Sequence, residues 1–353
     1  MLRFKHYTLV LTMLTAVLFL SYCNPGADGA KGVWLIPENE LRDGGPGKDG
    51  IAALTNPNYV TVPEVDFLLP TDLVIGFRLG GQIVAFPHPI MDHHEIVNDI
   101  IEDIRIILSY CPLTGSAMAW EGENNANDYT YGVSGLLYNS NLILYDRETD
   151  SNWSQMLMNC VNGDRTGENA KMRHVIETTW STWRQMYPNS LVLSTNTGYN
   201  RDYSDYPYGD YKTGNSLIFS VNNEDSRLHK KERIHGVIFS SSNTKAYVIG
   251  AFTGPGDVTV VTDSMGGTNV VVVGSAMKNF AVSFVTGSNA PASFSAVQGQ
   301  LPVVMTDNEG NLWDIFGYAL SGPRAGEQLT PTTSYNAYWF AWAAFYPGAD
   351  IYQ

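Results

Sequence analysis

The chain has 353 residues, long enough for two domains or one large one, and 44% of them are hydrophobic, which excludes an intrinsically disordered protein. Lysine and arginine number 21 against 35 acidic residues, a formal charge of −14. So acidic a balance excludes nucleic acid, or an anionic membrane face, as a partner held by charge.

The first 22 residues read as an export signal. Arg3 and Lys5 open it, Leu9 to Leu20 is an apolar run broken only by threonines, and turn-forming residues follow. The run is too short and too early for a membrane span. Cys23 follows directly and precedes Asn24-Pro25-Gly26, as in a bacterial lipobox whose cysteine is lipidated after cleavage. Leu20 and Ser21 suit that pattern, and Tyr22 is larger than the residue usual there. The competing reading is an ordinary cysteine near a cleavage site. On the lipobox reading the mature chain carries 19 basic against 35 acidic residues, a charge of −16, and is tied to the cell envelope, on the outer membrane, by a lipid. Residues 23–70 are then a tether, Gly-rich over Asp43 to Gly50, with an irregular lead-in over Ile51 to Pro70.

From residue 71 the chain repeats itself. Val74 to Phe77 and Gln82 to Phe86 form strand, turn and strand, and Ile234 to Val237 with Thr244 to Tyr247 have the same design. Val97 to Asp99 and Ile104 to Leu108 form a hairpin closed by a four-residue turn, matched by Val261 to Asp263 and Val270 to Val273. Trp153, the Gly163 to Glu168 run and Trp183 with Tyr187-Pro188 recur in order as Trp313, Gly322 to Glu327 and Trp342 with Tyr346-Pro347. An ordered set of matches with an offset near 160 marks an internal duplication. The predicted fold is α+β, predominantly β: two diverged tandem copies of a β-rich unit, residues 71–195 and 233–353, packed as a pseudo-symmetric pair with one short helix each. In the first copy Thr178 or Thr179 caps the helix that carries Trp180, Trp183 and Tyr187. Residues 196–232 join the copies and are too aromatic for a floppy linker, so they are expected to pack across both.

The chemistry-bearing residues cluster in the first copy, at His88 to Glu95 and Tyr110 to Gly115. With the turn at Ile100 to Asp103, His93 falls opposite Tyr110 and Asp92 opposite Cys111. A thiolate beside histidines fits a soft metal, copper or zinc, on Cys111, His93 and His94. It equally fits a nucleophile or redox centre at Cys111. At the matching places the second copy has Ser275, Asp257 and Val258. That asymmetry argues for a site in the first copy. The bland alternative is a buried structural cysteine, or a Cys111–Cys160 disulfide. Tyr110, Arg147, Arg201, Asp202 and Tyr203 are candidate ligand-binding residues, although Arg147 also reads as half of a surface ion pair. Phosphate-loop, dinucleotide, nucleophile-elbow and H-E-x-x-H signatures are absent.

Several runs resemble the bacterial domain-of-unknown-function family 3179. They are His94 to Asp99 (H-E-I-V-N-D), Tyr110 to Leu113 (Y-C-P-L) and Gly132 to Ser140 (G-V-S-G-L-L-Y-N-S), with Tyr145-Asp146-Arg147, Trp153-Ser154-Gln155, Thr179-Trp180, Arg201-Asp202-Tyr203, Arg227-Leu228 and Lys231-Glu232. The resemblance covers nearly all of the chain from Gly50. It implies little chemistry, because the family has no agreed function. Many members have a second cysteine that makes a C-x-x-C pair with the first; Thr114 stands there in this chain, so a single-thiolate site is the most that carries over. The resulting expectation is an exported lipoprotein that binds a metal ion or small ligand, with a Cys111 enzyme or a non-catalytic glycan- or protein-binding surface protein as alternatives.

Overall fold

The computed structural model describes residues 32–122, 129–240, 242–287 and 289–353. The export signal and Cys23 lie outside the described residues. The fold is predominantly β, with six small sheets and a few short helices among the described residues.

Two sets of three sheets have matching strand orders. In the first set the hairpin Leu73–Leu79 and Gln82–Pro87 is flanked by antiparallel Val175–Thr179 and parallel Leu191–Leu193. In the second, Arg233–Ser240 and Asn243–Val248 are flanked by antiparallel Ser334–Tyr338 and parallel Asp350–Tyr352. The meander Ile96–Ile101, Ile104–Cys111, Ser116–Glu121 corresponds to Thr259–Met265, Thr268–Ser275, Phe280–Val285. The remaining pair contains the tryptophan strands Asn152–Ser154 and Leu312–Asp314. Each indole donates to a buried aspartate, Trp153 Nε1 to Asp146 Oδ2 at 3.0 Å and Trp313 Nε1 to Asp307 Oδ2 at 2.7 Å.

Both meander hairpins turn more tightly than expected. Ile100 and Ile101 stay in the strand, and the turn is Glu102-Asp103 alone, with φ of 50° and 59°. Aspartate and glycine tolerate this left-handed conformation, and two consecutive residues in it make the turn that matches strand twist. Gly266-Gly267 does the same in the second set. The register therefore moves by two residues: Tyr110 N donates to Glu95 O at 2.7 Å, so Glu95 rather than His93 stands beside Tyr110.

Three α-helices occur among the described residues: α1 (His88–His94), α2 (Trp180–Met186) and α3 (Trp339–Phe345). The latter two are the expected pair, and Thr179 caps α2 by accepting from Thr182 N at 3.3 Å. The first helix is an addition to the one helix expected for this half. Pro89 sits in its first turn, where the missing N–H costs nothing. The second half has only the short 3-10 turn Ile249–Ala251 at that point.

The helices tie the halves together. In α2, Trp180 and Trp183 are buried with Val271, Val273 and Trp313 of the second half. In α3, Trp339 and Trp342 are buried with Ile96, Trp120 and Trp153 of the first. Backbone bonds cross in both directions, Tyr338 N to Thr114 O at 2.7 Å and Thr179 N to Lys278 O at 3.4 Å. The Gly-rich stretch that reads as a tether is folded down: Gly44 N donates to Gly135 O and Asp49 N to Val133 O, both at 2.8 Å. Positive φ at Gly45 and Gly47 and the missing side chain at Gly135 allow that close approach.

Gly76 and Gly236 each lie under a helix tryptophan. A Cβ at Gly76 would fall inside the Trp183 ring, and one at Gly236 inside that of Trp342. Gly236→Ala is expected to destabilise the protein by about 1–3 kcal/mol through overpacking. Denaturant unfolding checks this, and an unchanged midpoint would refute the packing argument.

Candidate functional site

Helix α1 brings His88, Asp92 and His94 inward, and its C-cap is Glu95 with φ 57° and ψ −33°. A glutamate in that backbone region is strained, a cost proteins tolerate mostly where a site needs it. Its carboxyl is buried, and burial pushes it up to about 8 from an ordinary 4.5, with Tyr208 Oη donating to Oε1 at 3.2 Å as a partial offset. Burial likewise raises Asp92, against the pull of the Lys212 ammonium 2.7 Å from Oδ2. Asp92 Oδ1 is buried without a partner.

A second layer crosses the junction between the halves. Glu177, in the strand next to Leu73–Leu79, receives Arg233 Nη2 at 3.3 Å from the second half. His88 Nε2 approaches the same oxygen to 2.9 Å, off the line of a hydrogen bond. Burial alone would raise Glu177, but the Arg233 and His88 charges outweigh it and hold it below the usual carboxylate range. Burial lowers His88, whose ring centroid is 4.3 Å from that of Tyr110. Tyr110 and Tyr338 complete the wall, and the charges of Asp92, Glu177 and Arg233 act on both.

The Tyr-rich segment covers this cluster and reaches both halves, as expected. Tyr208 bonds Glu95, Lys212 pairs with Asp92 and lies 4.1 Å from the Tyr206 ring centroid, and Tyr211 Oη donates to Leu113 O at 3.0 Å. Lys231 fastens it, donating to Tyr211 O at 2.8 Å and Ser216 O at 3.1 Å from beside the aromatic rings of Tyr211, Tyr338 and Phe340.

The residues singled out in the sequence separate into three places. Cys111 and Tyr110 belong to the cluster. The Cys111 thiol is buried, donates to Ser140 O at 3.7 Å, and is pushed up to about 11 by burial and by the charge of Glu95. His93 and His94 instead face the start of the Tyr-rich segment. Nδ1 of His94 is 2.7 Å from Ala52 O, which only accepts, so Nδ1 carries the proton and Nε2 accepts from Tyr203 Oη at 2.6 Å. His93 Nε2 donates to Asp205 O at 2.9 Å. Arg201 and Asp202 are exposed beside them, Asp202 being occupied by Ser204. Arg147 is elsewhere, in an ion pair with Asp49 at 2.6 Å. Among the described residues no group of three or more His, Cys, Asp or Glu side chains is disposed to hold a metal ion. Cys111 and Cys160 are both free, buried thiols.

Sequence reasoning missed Glu95, Glu177, Lys212, Arg233 and Tyr338 as site members. Glu95 had a local signal, since it sits inside H-E-I-V-N-D. The others come from distant strands and segments, and only the packing of the halves brings them together. The second half lacks the cluster. Its meander ladder runs in the same register, so Cys111 falls on Ser275 and Glu95 on Thr259, each 164 residues on. Asn336 stands where Glu177 does in the matching strand.

Two outcomes are expected. The folded Glu95 holds its proton more tightly than the unfolded chain does. Its contribution to stability is therefore greatest below its ordinary value of 4.5 and is lost as pH rises toward about 8. Glu95→Gln removes that dependence, which is at most about 1.4 kcal/mol per pH unit. Unfolding of variant and wild type across this window measures the difference, and parallel curves would refute it. Cys111 is expected to alkylate at neutral pH only as fast as the chain opens, because a buried thiol pushed to about 11 is almost wholly protonated. Mass spectrometry of iodoacetamide-treated protein follows this, and fast labelling of the folded state would contradict it.

No curated protein matches the chain, and no solved structure does. A family model described as "Protein of unknown function (DUF3179)" matches residues 48–349, most of the chain and all of the cluster just described. The chain belongs to that family, DUF3179.

Proposed function

We propose that this is an exported, lipid-anchored protein of the cell envelope that binds a small cationic ligand, an amine, at the buried Asp92–Glu95 cluster of its first half. The observation that carries the reading is two neighbouring buried carboxyls, both raised, with Asp92 Oδ1 unpartnered. Carboxyls in that state gain most from a positive charge placed between them. The Lys212 ammonium now lies against Asp92 and the Tyr206 ring, which is the environment an organic ammonium seeks. The fold has no need of these groups, because the second half builds the same meander with Thr259 and Ser275. Replacing a buried ionic cluster by apolar residues is often stabilising, so its presence in one half only speaks for use.

A metal on Cys111, His93 and His94 has less support. The histidines already spend their nitrogens on Ala52, Tyr203 and Asp205, away from the thiol. A Cys111 nucleophile has less support too, since the thiol is raised and the near charge is the carboxyl of Glu95. The signal and lipobox at residues 1–23 support the envelope address.

Native mass spectrometry of the mature protein, purified from envelopes without chelators, tests the reading. A stoichiometric small cationic adduct is expected in the wild type and is lost in the Asp92→Asn, Glu95→Gln double variant. No adduct, or one the double variant keeps, overturns it. Copper or zinc at about one per chain, absent from Cys111→Ser, would replace it with the metal reading.

A further inference from the structure

A cavity lies on the junction, away from the Asp92–Glu95 cluster, with a volume of about 330 Å³. The first half supplies Arg78, Arg173 and His174 to its wall, and the second supplies Tyr318, Gln328 and the Pro331 to Ser334 run. That volume is at the lower end for small-molecule sites, and contributions from two units are a common feature of such sites.

Three nitrogens on these residues are buried with no hydrogen-bond partner: Arg78 Nε, Arg173 Nε and His174 Nε2. Buried polar groups are nearly always satisfied, so each orphan calls for a reason, and three around one cavity call for a common one. One terminal nitrogen of each arginine is engaged by an acid. Arg78 Nη1 donates to Asp314 Oδ2 at 2.9 Å, and its guanidinium lies 4.0 Å from the Tyr318 ring centroid. Arg173 is paired with Glu121. These contacts fix both guanidinium groups and leave the Nε–H of each unused. His174 packs between Phe284 and Phe316, with ring centroids 5.8 and 6.3 Å away. Burial, with the nearby His235 adding to it, pushes it down to about 3, so it is a neutral imidazole that can present Nε2–H.

Two acceptors beside the cavity are already used: Asp314 Oδ1 takes Phe316 N at 2.9 Å and Tyr318 N at 2.8 Å, and Thr332 Oγ1 is engaged with Ser283 Oγ at 2.5 Å. The buried nitrogens left without a partner can donate, so the partner they call for offers acceptors. We propose that this cavity binds a small carboxylate, whose oxygens take N–H groups of Arg78, Arg173 and His174. An ionised carboxylate is acceptor-only with two oxygens, and bonds from guanidinium to it are among the stronger hydrogen bonds. The two arginines are each compensated by an acid, so recognition rests on these directed bonds more than on net charge. Neither this cavity nor its ligand depends on the Asp92–Glu95 reading.

The test is titration calorimetry of the full mature chain with acetate, succinate, citrate and glucuronate, and with glucose as the neutral control. At least one carboxylate is expected to bind and glucose not to. His174→Leu removes a donor without orphaning any protein group, so the variant should keep its unfolding midpoint and bind roughly tenfold more weakly. Glu95→Gln, in the other cluster, should bind as the wild type does. Arg78→Lys gives a second check, since it retains a charge for Asp314 but has no Nε–H. Absence of heat with every carboxylate overturns the proposal, as does binding that glucose matches or that survives both cavity variants undiminished.

Discussion

Each half of this protein makes a helix that its own sheets leave half covered. Trp180 and Trp183 of α2 pack on their own sheet and are closed over by residues of the second half, and Trp339 and Trp342 of α3 are closed over in the same way by the first half. Burying an indole contributes several kcal/mol at the usual value per unit of apolar area, so the two halves hold each other through these rings. The glycines Gly76 and Gly236 are the matching concession, because a strand can pass under a tryptophan only where it has no side chain. Everything polar at the junction is positioned by this exchange.

The exchange explains why the ionic groups are where they are. Arg233 and Glu177 come from different halves and meet at 3.3 Å because their strands face one another across the tryptophan seam. Arg78 and Asp314 cross it in the other sense at 2.9 Å. Around the first pair lie His88, Tyr110, Asp92 and Glu95; around the second lie the orphaned nitrogens of Arg173 and His174. Both clusters contain buried polar atoms without a hydrogen-bond partner. A seam needed only for stability would be better served by apolar side chains.

The Tyr-rich segment covers the first cluster. It contributes Lys212 to Asp92 and Tyr208 to Glu95, and it is fixed by Lys231 among aromatic rings. Burial pushes Lys231 down to about 8, since its partners are carbonyls and ring faces rather than a carboxylate. The clamp is therefore one of dipoles and π-faces, and a ligand reaching Asp92 has to displace Lys212 or part of this cover.

Sequence alone determined what depends on local pattern. Alternating Val, Ile and Tyr predicted the paired hairpins, Thr179 marked the start of α2, and the recurrence of Trp153 and Trp183 as Trp313 and Trp342 predicted the matching elements of the two sets of sheets. Exact motif runs identified the family. Cys111 and Ser275 occupy matching places in the registers of the two meanders. What sequence reasoning misjudged was a turn and a helix: Glu102-Asp103 adopts left-handed geometry and closes a shorter hairpin, and Pro89 starts a helix where a strand was assumed. The change of two residues set Glu95 beside Tyr110, and the helix carried His93 and His94 away from Cys111. Only the tertiary structure decided the composition of both clusters. Asp92, Glu177, Lys212 and Arg233 come from four separate segments, and neither the burial that raises Asp92 nor the pairing across the halves that holds Glu177 low is encoded by a local pattern.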